Sequence, residues 1–153
     1  MSGGRVDVIC DYCDCRSQPE IQALADDHER ILEVIGALRR GVGRESSDDV
    51  DRRLDELARL LLPHTSREEV GIFARLRAVD VAEGYVARFE DDHREIDRQI
   101  IAARADHRSI GRLLDEVVQH VLDEETDMYP AARQILAPWD WAAVDRAVAE
   151  LAV

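Results

Sequence analysis

Apolar residues return every three or four positions along almost the whole chain, which is the beat of helices with one buried face. The pattern predicts helices over about 19–40, 47–78, 82–106 and 109–136, and a short fifth over 139–150. Local signals agree with these limits. Ser17 with Glu20 reads as a capping box and Pro19 suits a first turn, while Gly41 and Gly43 form a stop after Leu38, Arg39 and Arg40. Ser46 or Ser47 caps the second helix, and Pro138 opens the fifth. Four long helices on short connections predict an all-α, antiparallel up-down four-helix bundle over residues 19–153, preceded by an amino-terminal arm over 1–18.

The inward faces are not purely apolar. The first helix presents Ile21, Leu24, His28, Ile31 or Leu32, Ile35 and Leu38, and the second Leu54, Leu57, Leu61, His64, Glu68 and Ile72. The third gives Val86, Phe89, His93, Ile96 or Asp97, and Ile100, and the fourth Leu113, Val117, His120, Glu124 and Met128. Each of the four helices therefore puts one histidine into its buried stripe. That stripe takes roughly three positions in seven, so chance seldom puts all four there.

Two glutamates sharpen the pattern. At about 100° per residue, the fourth residue after a histidine returns to within about 40° of the same direction, and the fifth points about 140° away. Glu68 and Glu124 are thus predicted to face inward, Glu69 and Glu125 outward. An ionised carboxylate in a dry core is costly unless it is paired or bound to a metal. The segments repeat: ADDHERIL at 25–32 resembles EDDHREID at 90–97, and HTSREEVGIF at 64–73 resembles HVLDEETDMY at 120–129. Two half-sites brought together by bundle folding would hold two metal ions with near two-fold symmetry. His107 falls at a helix end and reads as a surface or capping residue. The acid pairs before His28 and His93 read as exposed helix surface, with the alternative that one acid orients a ligand histidine.

Composition limits the function. The formal charge is −13 over 153 residues, and the arginines are scattered, which argues against binding nucleic acid through its phosphates. No apolar run approaches the ~20 residues of a membrane span, and the start lacks the apolar stretch of an export signal, so a cytoplasmic location is expected. Four imidazoles and two carboxylates suit iron, manganese or zinc better than magnesium or calcium. Two histidines and shared glutamates per ion leave coordination positions open, which favours chemistry or ligand binding over a structural role.

The order His28, His64 with Glu68, His93, His120 with Glu124 resembles the hemerythrin-like proteins of the histidine-histidine-glutamate type, over about residues 19–136. The resemblance implies a non-haem di-iron centre: two iron ions bridged by Glu68 and Glu124 and by an oxo or hydroxo group, with manganese or zinc less favoured. By the same resemblance His28 and His64 hold one iron, and His93 and His120 the other. The chain departs from the oxygen carriers of that family. Asp97 stands where they have a fifth histidine, and the fourth helix has HxxxE in place of HxxxxD. Glu125 keeps the longer spacing, and a local helical bulge would turn it inward instead of Glu124, so Asp97 and Glu125 are further candidate ligands. Without the fifth histidine, simple reversible oxygen carriage is not the expectation.

The arm contains Cys10, Cys13 and Cys15. In a chain without an export signal these predict no structural disulfide framework; thiol redox chemistry or binding of a soft metal are the candidate roles. The function expected is reaction with, or binding of, dioxygen, hydrogen peroxide or nitric oxide in oxidative or nitrosative stress handling, with an electron donor that the sequence does not identify. The alternative is a non-catalytic sensor or store for dioxygen, nitric oxide or iron, or an iron donor in iron-sulfur cluster repair. A two-metal hydrolase ranks third, because no glycine-rich phosphate loop or convergent basic cluster accompanies the site.

Overall fold

The computed structural model describes residues 14–80 and 83–152, and among these every regular element is helical. The bundle consists of α1 (Pro19–Gly41), α2 (Ser47–Glu68), α4 (Glu83–Ala105) and α5 (Ile110–Asp123). Neither second nor fourth helix ends where its α-geometry does. A π-helical turn, π1 (Glu69–Phe73), continues α2 into the short α3 (Ala74–Ala78), and π2 (Glu124–Met128) continues α5 into α6 (Tyr129–Ile135). A last helix, α7 (Pro138–Leu151), lies across π1 and α3. Neighbours pack in the order α1, α2, α4, α5 and back to α1, the up-down arrangement that the short connections require.

Helix ends follow local chemistry, with one departure from the sequence reading. Ser46 caps α2, its hydroxyl oxygen accepting from the Asp49 amide at 3.1 Å. The capping box expected from Ser17 and Glu20 does not form. Gln18 is the N-cap without a side-chain bond, and the Ser17 hydroxyl donates to the Asp14 carbonyl instead at 2.7 Å. Pro19 at the first helical position has no amide hydrogen to satisfy, so α1 starts without that cap. Gly43 has φ +79°, a left-handed turn between α1 and α2 that a β-carbon would strain. Gly71 serves closeness instead: a β-carbon there would stand 3.1 Å from Val144 and 3.2 Å from Val148, so its absence lets α7 sit down on π1.

The apolar interior is in two parts. One includes Ile31, Leu38, Leu54, Leu57, Ile96 and Leu113, toward the end where α1 turns into α2. The other includes Leu24, Ile72, Phe73, Phe89, Met128 and Tyr129, closed by Trp141 and Val144 of α7. Each fully buried leucine in either part stabilises the fold by about 1.5–3 kcal/mol. Between the parts runs one layer of buried polar side chains, which includes His28, His64, Glu68, His93, His120 and Glu124.

Residues 15–17 form a 3-10 turn that packs against α1 and α6, with Cys15 inside the second apolar part. The end of the expected arm is therefore part of the folded domain. Cys15 is disulfide-bonded, contrary to the expectation for these thiols; Cys10 and Cys13 lie outside the described residues.

Candidate metal centre

Heptad-like spacing delivers the six ligand candidates to one level of the bundle. His28 comes from α1, His64 and Glu68 from successive turns of α2, His93 from α4, His120 from α5, and Glu124 from the start of π2. All are buried, and both glutamates are 0% exposed. The imidazole Nε2 atoms converge on the two carboxylates. Glu68 Oε1 is 3.4 Å from His64 Nε2, and Glu68 Oε2 is 3.2 Å from His93 Nε2. Glu124 Oε2 is 3.1 Å from His28 and 4.0 Å from His64, while its Oε1 is 2.9 Å from His120 and 3.6 Å from His93.

Two clusters result, and they share both carboxylates. Position A is formed by His28, His64, Glu68 and Glu124, and position B by Glu68, His93, His120 and Glu124, the donor atoms of each lying within 4.8 Å of one another. A cation fits on the evidence of the polar atoms themselves. His64 Nε2, Glu68 Oε2, His93 Nε2, His120 Nε2 and Glu124 Oε1 are buried without a hydrogen-bond partner. Several stand within ion-pair distance, as His120 and Glu124 do, but at angles unsuited to a hydrogen bond. Buried groups of this kind are rarely left unsatisfied in native proteins, and two dications would satisfy all of them at once.

The other nitrogen of each ring faces an acid, by a hydrogen bond in two cases and by a longer contact in the other two. His28 Nδ1 lies 2.8 Å from Glu125 Oε1, and His93 Nδ1 lies 2.8 Å from Glu69 Oε1. His64 Nδ1 and His120 Nδ1 stand 3.5 Å from Asp27 and Asp92, electrostatic contacts too long for good hydrogen bonds. A carboxylate on Nδ1 holds the proton there and leaves Nε2 as the free donor, the arrangement that orients metal-binding histidines. The second acid of each DDH and the second glutamate of each HxxxEE thus have positions beside the site.

This corrects the expected direction of the fifth residue. Each π-helical turn carries one extra residue, which rotates the following side chains back toward the bundle interior. The Glu125 side chain is only 5% exposed, and it is buried in addition to Glu124, not in its place. Glu69 is turned far enough to reach His93 yet remains 44% exposed. π2 begins at Glu124, one repeat position earlier than π1 does at Glu69, which is the local difference between the halves.

Aromatic rings back two of the imidazoles. Tyr129 stacks on His28 with ring centroids 5.5 Å apart, and Phe73 stacks on His93 at the same 5.5 Å. These residues correspond in the internal repeat. Only Tyr129 carries a hydroxyl, which donates to Glu68 Oε1 at 2.6 Å and lies 3.4 Å from His28 Nε2.

Electrostatics in the cation-free site follow from crowding. Burial pushes the imidazoles down, but the facing carboxylates more than reverse it. His64 is raised to about 10, chiefly by Glu68, and His93 to about 12 by Glu124 and Glu68. His120 is raised to about 9, chiefly by Glu124, and His28 is raised by Glu124 and Glu125. Burial pushes Glu124 up, while His120 and its neighbours hold it well below the carboxylate range. Burial, Glu68 and Glu124 keep the Tyr129 phenol well above its ordinary value. Protons therefore fill the role of cations when none is bound.

Two residues singled out in the sequence lie elsewhere. Asp97 is on the exposed face of α4 and does not reach either cluster, because four residues of regular α-helix place it at the edge of the stripe. His107 bonds Asp51 at 2.7 Å near the far end of the bundle. Two arginines were not anticipated: Arg67, which bonds Asp27 at 2.8 Å, and Arg16, 3.8 Å from Glu125. Neither has a sequence signal apart from its spacing to an acid.

No curated protein and no solved structure gave a significant match. A family match was found: residues 20–132 fit the Hemerythrin HHE cation binding domain. The matched span runs from the first turn of α1 into α6 and takes in both clusters. The chain belongs to the hemerythrin HHE cation-binding family.

Proposed function

We propose that positions A and B hold two iron ions and that the protein reacts with, or binds, dioxygen, hydrogen peroxide or nitric oxide in the handling of oxidative or nitrosative stress. The observation that carries this reading is the sharing of Glu68 and Glu124 between two pairs of histidines. Two imidazoles and two carboxylate oxygens per ion fall short of a full octahedral set, and this mixed nitrogen and oxygen donor set suits iron. Iron so held supplies a ferrous–ferric change of state and coordination positions for a small ligand.

The chain's own groups set the conditions. Phe73, Phe89, Ile72 and Met128, all fully buried, exclude bulk water from the layer. Glu125 and Glu69 fix the His28 and His93 rings by hydrogen bonds to Nδ1, while Asp27 and Asp92 favour a proton on Nδ1 of His64 and His120 electrostatically, which leaves each Nε2 free to face the layer. The Tyr129 hydroxyl is the one neutral hydrogen-bond donor aimed into the layer among the described residues, and it holds Glu68 by one oxygen.

Anaerobic loading with ferrous iron, then exposure to air, peroxide or nitric oxide, tests the reading. Two irons per chain and repeated consumption of one oxidant in the presence of a reductant are expected. A stable, reversible adduct without turnover would make the protein a sensor or store, and failure to retain iron would overturn the proposal.

A further inference from the structure

The internal repeat makes positions A and B nearly alike in their ligands, yet their surroundings differ systematically. At position A both acids that face the imidazole Nδ1 atoms are countered by arginines. Arg67 bonds Asp27 at 2.8 Å and reaches Glu20 at 3.2 Å. Arg16, from the turn before α1, stands 3.8 Å from Glu125 and 3.6 Å from Glu29. At position B the corresponding acids are Asp92 and Glu69. Among the described residues, no arginine lies within ion-pair distance of either. The oxygen of Glu68 that faces position A also gives part of its charge to the Tyr129 hydroxyl, whereas Phe73 offers nothing of the kind at position B.

We infer that the two positions are built for ions of different charge: A for a divalent ion, and B for a more highly charged one. The inference deepens the two-cation reading of this site and rests on it. The sign follows from Coulomb's law. Two guanidinium groups within ion-pair distance of the acids and a hydroxyl proton reduce the negative field at A, whereas at B the one guanidinium that acts on Glu69 is the more distant, part-exposed Arg77, already paired with Glu90. Two further effects oppose the difference. Water screens the part-exposed Glu69, and Glu20 and Glu29 return some negative charge to the outer side of A. Neither acid touches an imidazole, whereas both arginines touch acids that do, so the arginines act more directly.

The consequence is a centre with an assigned order of charge, in which B carries the higher charge whenever the two ions differ. The test uses redox-silent probes. The metal-free full-length chain is loaded with equimolar gallium(III) and zinc(II), and the occupant of each position is identified by anomalous diffraction at both absorption edges. Gallium is expected at the His93 and His120 position, with a preference of roughly tenfold, the size of effects exerted by groups outside the ligand set. Arg16→Gln and Arg67→Gln should each cut that preference roughly two- to five-fold, as loss of a part-exposed ion pair would. Asp92→Asn should do the same from the other side, which keeps the test open if an arginine variant fails to fold. Equal occupancy, or gallium at the His28 and His64 position, would overturn the inference while leaving the two-cation reading intact. If neither ion enters the layer, both fall together.

Discussion

His28 and Glu125, 97 residues apart in sequence, stand 2.8 Å apart in the buried layer, Nδ1 to Oε1. The contact exists because π2 turns two consecutive glutamates inward, Glu124 to the imidazole Nε2 atoms and Glu125 to the Nδ1 of His28. Glu125→Gln keeps the shape and removes the charge. It should weaken cation binding roughly 10- to 100-fold, as other losses of this kind do. Competition with a chromophoric chelator measures it, and unchanged affinity would remove Glu125 from the site.

Removing the cations should destabilise the fold. For ions held at about 1,000 times their dissociation constant, each contributes about 4 kcal/mol, which in a chain of this size corresponds to a fall on the order of 10 °C in Tm per site. Thermal unfolding with and without a strong chelator reads this directly.

The dependence on pH should reverse between the two forms. In the cation-free protein the site histidines are raised in the folded state, so the stability they contribute is fully present below their unfolded value of about 6.5. It is lost as pH rises through about 9 for His120, 10 for His64 and 12 for His93. With cations bound the same rings must be neutral, and acid competes with the metal. Tm should therefore fall with rising alkalinity without metal, and with rising acidity when loaded. Parallel pH series of melting curves decide the matter.

Tyr129→Phe deletes one hydroxyl from a fully buried ring. Without cations, Glu68 loses a hydrogen-bond donor at 2.6 Å, and the expected cost is about 1–3 kcal/mol. With cations bound the oxygen has another partner, so the cost should shrink. Denaturant unfolding of both forms of both proteins gives the four free energies; an equal loss in each form would mean that Glu68 does not meet a cation.

The bundle and the six converging side chains were legible because both follow one rule, the 3.6-residue period, and because the halves repeat. That rule fails where the backbone leaves it. The directions of Glu69 and Glu125 depend on π-helical turns, whose extra residue no hydrophobic spacing announces. The repeated EE itself was the available signal, since a second glutamate conserved between two halves of one chain has a reason to be there. Asp27 and Asp92 were visible as doubled acids but not as partners of His64 and His120, because the partner sits on a different helix. Arg16 was hidden for another reason: it precedes the first helical repeat, so no periodicity ties it to the domain, yet Cys15 and Arg16 fold onto it.

The polar layer divides the interior into two apolar halves, and that division bears on how the protein opens. Once the cations leave, polar atoms such as His93 Nε2 and His120 Nε2 stay buried in the layer without a hydrogen-bond partner. The weakest plane of the molecule then runs through its middle. Amide exchange should resolve two cooperative units, one around Leu54 and Leu113 and the other around Phe89 and Trp141, which merge into a single one when the ions return.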